Sequence, residues 1–292
     1  MARIAFLTLA EVLDYVIDDH LVITELERRG HEVEQIPWTD EHADWARPDM
    51  VIVRTTWDYH HQPERFLSAI DRISQRAQRF ENDAELIRWN LDKRYLRELK
   101  AAGVPIVPSR WGFGGEPADF AREAEALQSE EVVVKPTVSA NAMDTMRLPG
   151  TLTDAQAEQL SATFAGRHWF AQPFVASILS EGETSVFYFG GRYSHTISKV
   201  PRAGDFRVQE EHGGVIVGVE PSGEVLRVAE QVMAALDSPP LQARVDLVRL
   251  ADGSLALMEL ELIEPSLYFR TSDVAAAHFA DAVESRLELA EN

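Results

Sequence analysis

The strongest constraint on the fold comes from two segments near the C-terminal end, ARVDLV and LMELELIEP, in which polar and apolar residues alternate. Asp252 and Gly253 lie between them, and an Asp-Gly pair between alternating segments favours a β-hairpin. Side chains two residues apart in a strand point to the same face. Glu259 and Glu261 are therefore expected to project together, with Leu260 directed into a core on the opposite face.

Charged residues of the partner strand should face the same side of this hairpin. Arg244 and Asp246 are also two residues apart, so the pairing brings three carboxylates and one guanidinium together. Neighbouring carboxylates repel each other and are costly near an apolar sheet unless a cation neutralises them. Hard oxygen ligands of this kind suit Mg²⁺. The spacing alone leaves a second interpretation open, in which the charges form ordinary ion pairs on a solvated sheet face.

Strands and helices alternate over the first 88 residues, as expected for a small parallel α/β unit. Its strands are predicted at 3–9, 31–38 and 49–57, and its helices at 19–29 and 63–77. Further helices are predicted at 90–102, 117–128, 153–164, 222–236 and 273–289, and further strands at 104–109, 131–136, 168–175 and 215–220. Hairpins turning at Gly190-Gly191 and Asp252-Gly253 make the later part antiparallel. The predicted fold class is therefore mixed α/β and α+β.

The charge balance limits the kinds of partner. Lys and Arg total 28 residues and Asp and Glu total 48, so the formal net charge is −20. A field of that sign repels nucleic acids and anionic membrane surfaces. Cysteine is absent, which excludes disulfide scaffolds, zinc–thiolate sites, iron–sulfur clusters and thiol nucleophiles. No apolar stretch approaches the roughly 18 residues needed to span a bilayer. We expect a cytoplasmic protein that binds neither nucleic acid nor membranes.

Only four lysines occur in the chain, and three of them stand at informative positions. Lys135 ends the apolar segment EVVVKP, where a charged side chain is expected only if it points at an anion. Small polar residues follow it, as in a loop that covers a phosphate. Lys93 lies early in a predicted helix and Lys199 closes the segment YSHTISK. Each alone is also compatible with a surface lysine whose stem lies along apolar neighbours.

These motifs occur in an order that resembles the ATP-grasp superfamily. The similar segments, between about residues 88 and 270, are NLDKRYL, EVVVKP, AQPFV with EGETSV, ISKVPRAGDFR, ARVDLV and LMELELIEP. The 13-residue step from Asp246 to Glu259 fits the same pattern. The resemblance implies an ATP-grasp fold preceded by a parallel α/β (pre-ATP-grasp) domain. The implied domains are an N-terminal substrate-binding domain at 1–88, a central lid subdomain at 89–183 and a C-terminal subdomain with the metal site at 184–292.

The resemblance also implies roles for individual residues. For ATP, it implies contacts from Lys93 and Lys135 to the phosphates, Gln172 and Val175 to the adenine and Glu183 to the ribose, with Ser139 in the phosphate loop. For metal, it implies that two Mg²⁺ ions, or Mn²⁺ instead, are bound by Asp246, Glu259 and Glu261. For catalysis, it implies a γ-phosphate contact from Lys199, stabilisation of the charged intermediate by Arg244, and an acylphosphate contact from Arg207, as in glutathione-synthetase-like members.

Two features depart from the superfamily's pattern. The loop after Lys135 is poor in glycine, so its closure is expected to depend on Ser139, Ala140 and Asn141. The last metal position is commonly Asn in the superfamily and is Glu261 here. The substitution adds a negative charge, which is expected to alter the affinity for metal without abolishing the site.

The N-terminal unit is expected to bind the substrate. RTTWDY follows a predicted buried strand, and open α/β sheets bind ligands where their strands end. Arg54 is the candidate to pair with a substrate carboxylate. Thr55, Thr56 and Asp58 are candidates to hold an amine or hydroxyl groups. The other interpretation makes Arg54 a structural residue and Asp58 a helix cap.

RTTWDY and ELELIEPSLYF together resemble the branch of the superfamily that includes D-cycloserine synthetase, which closes O-ureido-serine into a ring with ATP. The implied function is ATP- and Mg²⁺-dependent formation of a C–N bond on a small amino acid-like substrate, through an acylphosphate. One alternative is an intermolecular carboxylate–amine ligase, similar to glutathione synthetase. Another is a partner protein that binds ATP without turnover. A homodimer is a further expectation.

Overall fold

The computed structural model of the chain describes residues 1–11, 15–140 and 142–289. Its strands are β1 Arg3–Thr8, β2 Glu32–Pro37, β3 Met50–Thr55, β4 Phe80–Glu81, β5 Arg110–Phe113, β6 Glu131–Pro136, β7 Met146–Pro149, β8 His168–Pro173, β9 Glu183–Phe189, β10 Arg192–Val200, β11 Val215–Gly218, β12 Gln242–Arg249 and β13 Leu255–Glu261. Its helices are α1 Asp19–Arg28, α2 Pro63–Ser74, α3 Ala84–Leu91, α4 Tyr95–Ala101, α5 Pro117–Glu125, α6 Asp154–Thr163, α7 Gly223–Ala234 and α8 Ala275–Glu288.

The N-terminal sheet consists of four parallel strands in the order β2-β1-β3-β4. β3 is buried along its whole length, and its alternate side chains enter two different cores. Met50 and Ile52 pack with α1 and α8, whereas Val51 and Val53 pack with α2. Burial on both faces explains the continuous apolar sequence of this strand. The predicted parallel α/β unit is confirmed, and the short β4 is an addition to it.

The C-terminal sheet has five strands in the order β11-β10-β9-β12-β13, all of them antiparallel to their neighbours. Both predicted hairpins are confirmed. Gly190 and Gly191 have φ values of 56° and 77°, the left-handed conformation that a tight two-residue turn requires. Helix α7 covers one face of this sheet with a row of buried valines.

The middle sheet, in the order β5-β8-β6-β7, differs from the prediction at its first strand. The predicted strand at 104–109 is wrong, because Pro105 and Pro108 lack the N–H groups that a ladder requires. Within it, Ile106 forms a single bridge to Leu257. The strand begins instead at Arg110 and runs through Gly112 to Phe113. β7 has no counterpart in the prediction.

The helix predicted at 90–102 begins later, as α4, and residues 90 and 91 belong to the end of α3, a separate helix that was not predicted. Asp92 is extended rather than helical, and its side chain accepts a hydrogen bond of 3.0 Å from the backbone N–H of Arg94. This local bond competes with the helix and ends it. The backbone N–H of Lys93 is thereby free to donate to the carbonyl of Thr137, 2.8 Å away. The break between α3 and α4 therefore allows this segment to form a hydrogen bond with the loop that follows β6.

Polar side chains take over the outer hydrogen bonds of β13, which is an edge strand of its sheet. The hydroxyl of Tyr95 contacts both the N–H and the carbonyl of Leu260 at 2.9 Å. Asn90 donates to the carbonyl of Leu260 (2.8 Å) and accepts from the N–H of Leu262 (2.9 Å). Asn82 donates to the carbonyl of Leu262 (2.6 Å). A buried edge requires such partners, and the segment from Asn82 to Tyr95 supplies them.

Each sheet lies almost entirely within one of the ranges predicted as domains, although β9 begins one residue early, at Glu183. Helix α4 is different, because its buried residues pack against the C-terminal sheet rather than the middle one. The domain boundaries stay a prediction. Among the described residues, no helix combines the length and the apolar character that crossing a membrane requires.

The hydrogen bonds of Asn90 predict a measurable loss of stability when its amide is removed. Asn90→Leu leaves the buried N–H of Leu262 without its acceptor, which costs about 1–3 kcal/mol. Urea denaturation should show the free energy of unfolding falling by this amount. Gln75→Leu, at an exposed position, is the matched control and should change it by about 0.5 kcal/mol or less. Equal stabilities of the two variants would contradict the role of Asn90.

Candidate active site

A cavity of about 200 Å³ is lined by residues of the middle and C-terminal sheets and by the loops beside them. Every residue that the sequence assigned to ATP, to metal or to catalysis lies on its wall: Lys93, Lys135, Ser139, Gln172, Val175, Glu183, Lys199, Arg207, Arg244, Asp246, Glu259 and Glu261. Ala140 also lines it, whereas Asn141 lies outside the described residues. The fold thus brings three of the four lysines to one place.

Two of these lysines pair with carboxylates of the cavity. Lys93 lies 3.1 Å from Glu259 and donates to the carbonyl of Ser139 at 2.8 Å, so it connects the phosphate loop to β13. Lys199 lies 2.5 Å from Glu183 and 3.2 Å from Asp246. Burial alone would lower the pKa of Lys199, but these two carboxylates outweigh it and raise the pKa. Lys199 is therefore a permanent positive charge of the cavity wall.

Lys135 differs from the other two because no carboxylate of the described residues lies within 4.0 Å of its ammonium group. Its nearest contacts are the sulfur of Met258, at 3.4 Å, and the ring of Phe170, whose centroid is 5.5 Å away. Burial lowers the pKa of the Lys135 ammonium group. A half-buried ammonium without an ion-pair partner on a cavity wall is a candidate site for an anion.

Arg244 and Asp246 project into the cavity from β12 and form its most heavily paired group. Asp246 accepts hydrogen bonds from Ser185 (2.5 Å), from the guanidinium of Arg244 (2.9 Å) and from Lys199. Burial would raise the pKa of Asp246, but the two cations lower it well below its usual range. Arg244 also pairs with Glu261 on the neighbouring strand. One network of ion pairs thus connects Lys199, Asp246, Arg244 and Glu261.

Glu259 and Glu261 project from β13 beside that network, with Glu259 opposite Asp246 and Glu261 opposite Arg244. Burial, together with the negative charges of Glu259 and Asp246, raises the pKa of Glu261 to about 7 even though Arg244 acts in the opposite direction. A divalent cation would relieve this repulsion. Among the described residues, no three acidic or histidine side chains surround one point. The protein side chains alone therefore do not complete a metal site here, whereas Mg²⁺ is commonly bound by one or two carboxylates together with phosphate oxygens.

A different part of the wall is formed by the end of β8 and the residues after it. Gln172 is 1% exposed and donates to the hydroxyl of Ser109 at 3.1 Å. Its amide oxygen is buried and has no hydrogen-bond partner in the described part of the chain. A buried acceptor without a donor is costly, so a ligand that offers an N–H group would be stabilised here. Val175 adds an apolar contact surface.

Arg207 lies in the loop between β10 and β11 and reaches the cavity from the side. Its guanidinium pairs with Asp205 at 2.8 Å, and its side chain remains 37% exposed. The positive charge is therefore held in place by a neighbour but remains accessible to a ligand. Because the guanidinium of Arg207 remains partly exposed to solvent, its ion pair with Asp205 contributes little to stability.

Arg54 does not line the cavity. Its side chain is 1% exposed, and its guanidinium donates to Asp19 at 2.6 Å and to the amide oxygen of Gln242 at 2.7 Å. It also lies over the rings of Phe269 and Phe279. Its two terminal nitrogens are engaged inside the protein, and its Nε has no partner among the described residues. This geometry favours the structural interpretation of Arg54, and the substrate clamp stays a prediction.

The other predicted substrate contacts are also absent from the cavity wall as it is described. Thr55 and Thr56 are buried at the end of β3. Asp58 accepts a hydrogen bond of 2.6 Å from the indole of Trp38, so its carboxylate holds the N-terminal unit together. The chain turns after Thr55, and this turn directs Trp57 to the cavity in place of these polar residues.

The wall at this end is formed instead by aromatic side chains and one acid that the sequence analysis missed: Tyr15, Trp57, Tyr59 and Glu264. Trp57 donates to the backbone carbonyl of Glu264 at 2.8 Å. Burial and the charge of Glu261 raise the pKa of Glu264 to about 8, although the hydroxyl of Tyr59 donates to it. The aromatic residues of RTTWDY were the available signal in the sequence.

Comparison with known proteins identifies the family. Residues 4–82 match the family model described as D-cycloserine synthetase DcsG, N-terminal domain. The chain is 35% identical over 276 residues to the cycloserine biosynthesis protein DcsG of Streptomyces lavendulae, with 89% of this chain and 90% of that protein covered. The chain belongs to the D-cycloserine synthetase (DcsG) family.

Solved structures agree with membership of the DcsG family. The crystal structure of D-cycloserine synthetase DcsG matches 98% of this chain and 99% of its own, with a TM-score of 0.88 and 32% identity. D-alanine–D-alanine ligase from Bacillus anthracis matches 100% of this chain and 97% of its own with a TM-score of 0.68, but at 14% identity it is similar in fold alone. The ATP-grasp fold is confirmed. The DcsG-family chain is an enzyme of the C–N bond-forming ligases, not a non-catalytic partner.

The buried position of Arg54 predicts a loss of stability rather than a loss of substrate affinity. Arg54→Met leaves the carboxylate of Asp19 buried without its partner, which should lower the free energy of unfolding by about 3–5 kcal/mol. Denaturation curves measure this, with Arg47→Lys at an exposed position as the control. If Arg54→Met keeps its stability but loses affinity for the amino acid substrate, the result would support the prediction that Arg54 binds the substrate carboxylate.

Proposed function

We propose that this DcsG-family enzyme uses ATP and Mg²⁺ to convert the carboxylate of a small amino acid-like substrate into an acylphosphate, which a nitrogen atom then attacks. The observation that carries the proposal is Lys135, a half-buried ammonium without a counter-ion, on the same wall as Glu259 and Glu261. Glu259 and Glu261 are paired with Lys93 and Arg244, so Lys135 is the cation of this wall that lacks a counter-ion. A free cation beside two carboxylates is complementary to a metal–phosphate ligand.

ATP would occupy the length of the cavity. Lys93, Lys135 and Ser139 would hold its phosphates, and the unpartnered amide oxygen of Gln172, beside Val175, would accept from the adenine amino group. Glu183 would bind the ribose hydroxyls. The ATP-grasp ligase PsnB, at 16% identity and a TM-score of 0.68, has been solved with Mg and ADP, which supports ATP and Mg²⁺ as the ligands of this fold.

Metal would be held by Asp246, Glu259 and Glu261, with phosphate oxygens completing its shell. We propose two Mg²⁺ ions, for which Mn²⁺ can substitute because it accepts the same oxygen ligands. When bound, the metal neutralises charge on the phosphates and polarises the phosphoryl group. Asp246 already accepts from three side chains, so its pairing with Lys199 or Arg244 must loosen before it can coordinate a metal.

The chemistry needs positioning and charge but no protein nucleophile. In the first step a carboxylate oxygen of the substrate attacks the γ-phosphorus, and the bond from that phosphorus to ADP breaks. In the second step a nitrogen attacks the acyl carbon, a C–N bond forms, and inorganic phosphate leaves with one former carboxylate oxygen. Lys199 would contact the γ-phosphate, and Arg244 and Arg207 would stabilise the negative charge that develops in both steps.

The source of the attacking nitrogen in the second step determines which of two products forms. Membership of the DcsG family favours an intramolecular attack, by the oxygen-bound nitrogen of O-ureido-D-serine. Ring closure releases phosphate, and D-cycloserine then forms when water removes the carbamoyl group from the ring nitrogen as carbon dioxide and ammonia. The alternative is an intermolecular carboxylate–amine ligation. The cytoplasmic location and the homodimer stay predictions.

Release of ADP, followed by the mass of the product, tests the function. We expect ADP only when Mg²⁺ and O-ureido-D-serine are both present, together with a product of the mass of D-cycloserine. A product mass that includes an added amine would favour the intermolecular ligase. Release of ADP that is independent of any amino acid would contradict the proposed acylphosphate chemistry.

Replacement of Lys135 should weaken nucleotide binding specifically. Lys135→Ala removes one charge-assisted contact to phosphate, worth about 1.5–3 kcal/mol, so the Kd for a non-hydrolysable ATP analogue should rise about 10- to 100-fold. Calorimetry measures this, with the exposed Lys100 changed to Ala as the matched control. An unchanged Kd would remove Lys135 from the phosphate site.

Replacement of Glu259 should stop turnover but leave the fold intact. Glu259→Gln removes one charge from the proposed metal site, and a metal supplies several kcal/mol to the transition state, so kcat should fall by about 100-fold or more. The melting temperature should change little, since relief of the repulsion with Glu261 offsets loss of the ion pair with Lys93. Glu64→Gln, at an exposed position, is the control. Full activity of Glu259→Gln at low Mg²⁺ would mean that Glu259 is only a surface charge and not a metal ligand.

A further inference from the structure

One acid on the cavity wall has no part in the proposed phosphoryl chemistry. Glu264 lines the cavity three residues beyond Glu261, in the segment that follows β13. Among the residues that the structure describes, no lysine, arginine or histidine lies within the 4.0 Å of its carboxylate that an ion pair requires. A partly desolvated carboxylate without a counter-ion is costly, so a retained one calls for a cationic ligand.

The neighbours of Glu264 hold it in a fixed position and surround it with aromatic rings. The indole of Trp57 donates to its backbone carbonyl at 2.8 Å, and the hydroxyl of Tyr59 donates to its carboxyl group. The ring of Tyr15 packs edge-to-face on Trp57, with centroids 5.0 Å apart. Gln242 fixes the preceding carbonyl, that of Ile263, at 2.9 Å. The carboxylate is therefore preorganised before a ligand binds.

We propose that Glu264, framed by Tyr15, Trp57 and Tyr59, binds the ammonium group of the amino acid substrate. This inference rests on the proposed function, because it assumes that an amino acid enters the cavity. A carboxylate supplies the opposite charge, and aromatic rings attract an ammonium group further through their electron-rich faces. A neutral hydroxyl in the same position would gain neither interaction.

The location of Glu264 suits a substrate whose carboxylate is activated elsewhere in the same cavity. The chain from Glu261 to Glu264 is held by hydrogen bonds to its carbonyls at Leu262, Ile263 and Glu264. The ammonium site is thus at a fixed offset from the metal carboxylates. An amino acid anchored by its ammonium group would present its carboxylate in one orientation, which lowers the entropic cost of the first step.

Calorimetry with two probes tests this assignment. The probes are O-ureido-D-serine and its analogue with a hydroxyl in place of the ammonium group, each titrated in the presence of Mg²⁺ and a non-hydrolysable ATP analogue. We expect the wild type to prefer the ammonium compound. Glu264→Gln should weaken its binding about 10- to 100-fold, and should leave binding of the hydroxyl analogue and of the nucleotide unchanged. Glu264→Asp should keep part of the preference, and Glu220→Gln, at an exposed position, should keep all of it.

Several outcomes would overturn the ammonium site. These are equal binding of the two probes by the wild type, binding of neither probe, or an equal loss of both in Glu264→Gln, as a structural role predicts. If Glu264→Gln does not fold, a preference that stays at the wild-type level in both Glu264→Asp and Tyr59→Phe decides against the site as well. ADP release by the wild type is recorded in parallel. Discrimination without ADP release would reject the proposed function but keep the ammonium site, whereas ADP release without discrimination would reject the site alone.

Discussion

The cavity depends on how the outer edge of β13 obtains its hydrogen bonds. This strand carries Glu259 and Glu261 on one face, and in the described part of the chain its outer edge has only the single bridge to Ile106. The side chains of Asn82, Asn90 and Tyr95 bind that backbone instead. Because these residues come from the junction between the N-terminal unit and the rest of the chain, closing the edge also fixes the three sheets around the proposed substrate. The break between α3 and α4 belongs to the same arrangement, since it directs Lys93 to the phosphate loop and to Glu259.

The second constraint is electrostatic. The chain has a net charge of −20, yet three of its four lysines and two arginines lie on one cavity wall. Within that wall, Lys199 and Arg244 form ion pairs with Glu183, Asp246 and Glu261. By contrast, Lys135 and Glu264 have no ion-pair partner within 4.0 Å among the described residues. The unpaired cation and the unpaired anion stand at different parts of the cavity. In our account, a phosphate compensates the first and an ammonium group compensates the second.

The sequence predicts the elements that follow a regular period better than the contacts between them. The alternation in β13 correctly gave the face of Glu259 and the buried position of Leu260, and the order of motifs gave residues that all line one cavity. Arg54 could not be assigned in the same way. Its position at a strand end was correct, but its partner Gln242 lies 188 residues away, and nothing local distinguishes that partner from a substrate carboxylate. Glu264 was missed because it follows the end of a strand, where the two-residue period no longer says which way a side chain points.

The central claim is that the bound substrate is activated at its carboxylate, and isotope transfer measures this directly. O-ureido-D-serine labelled with ¹⁸O in both carboxylate oxygens is incubated with the enzyme, ATP and Mg²⁺, and the inorganic phosphate is analysed by mass spectrometry. Formation of an acylphosphate predicts one ¹⁸O atom in each phosphate released, because nitrogen attack at the acyl carbon leaves the bridging oxygen on phosphorus. Phosphate that carries no label, released in step with product, would contradict the account.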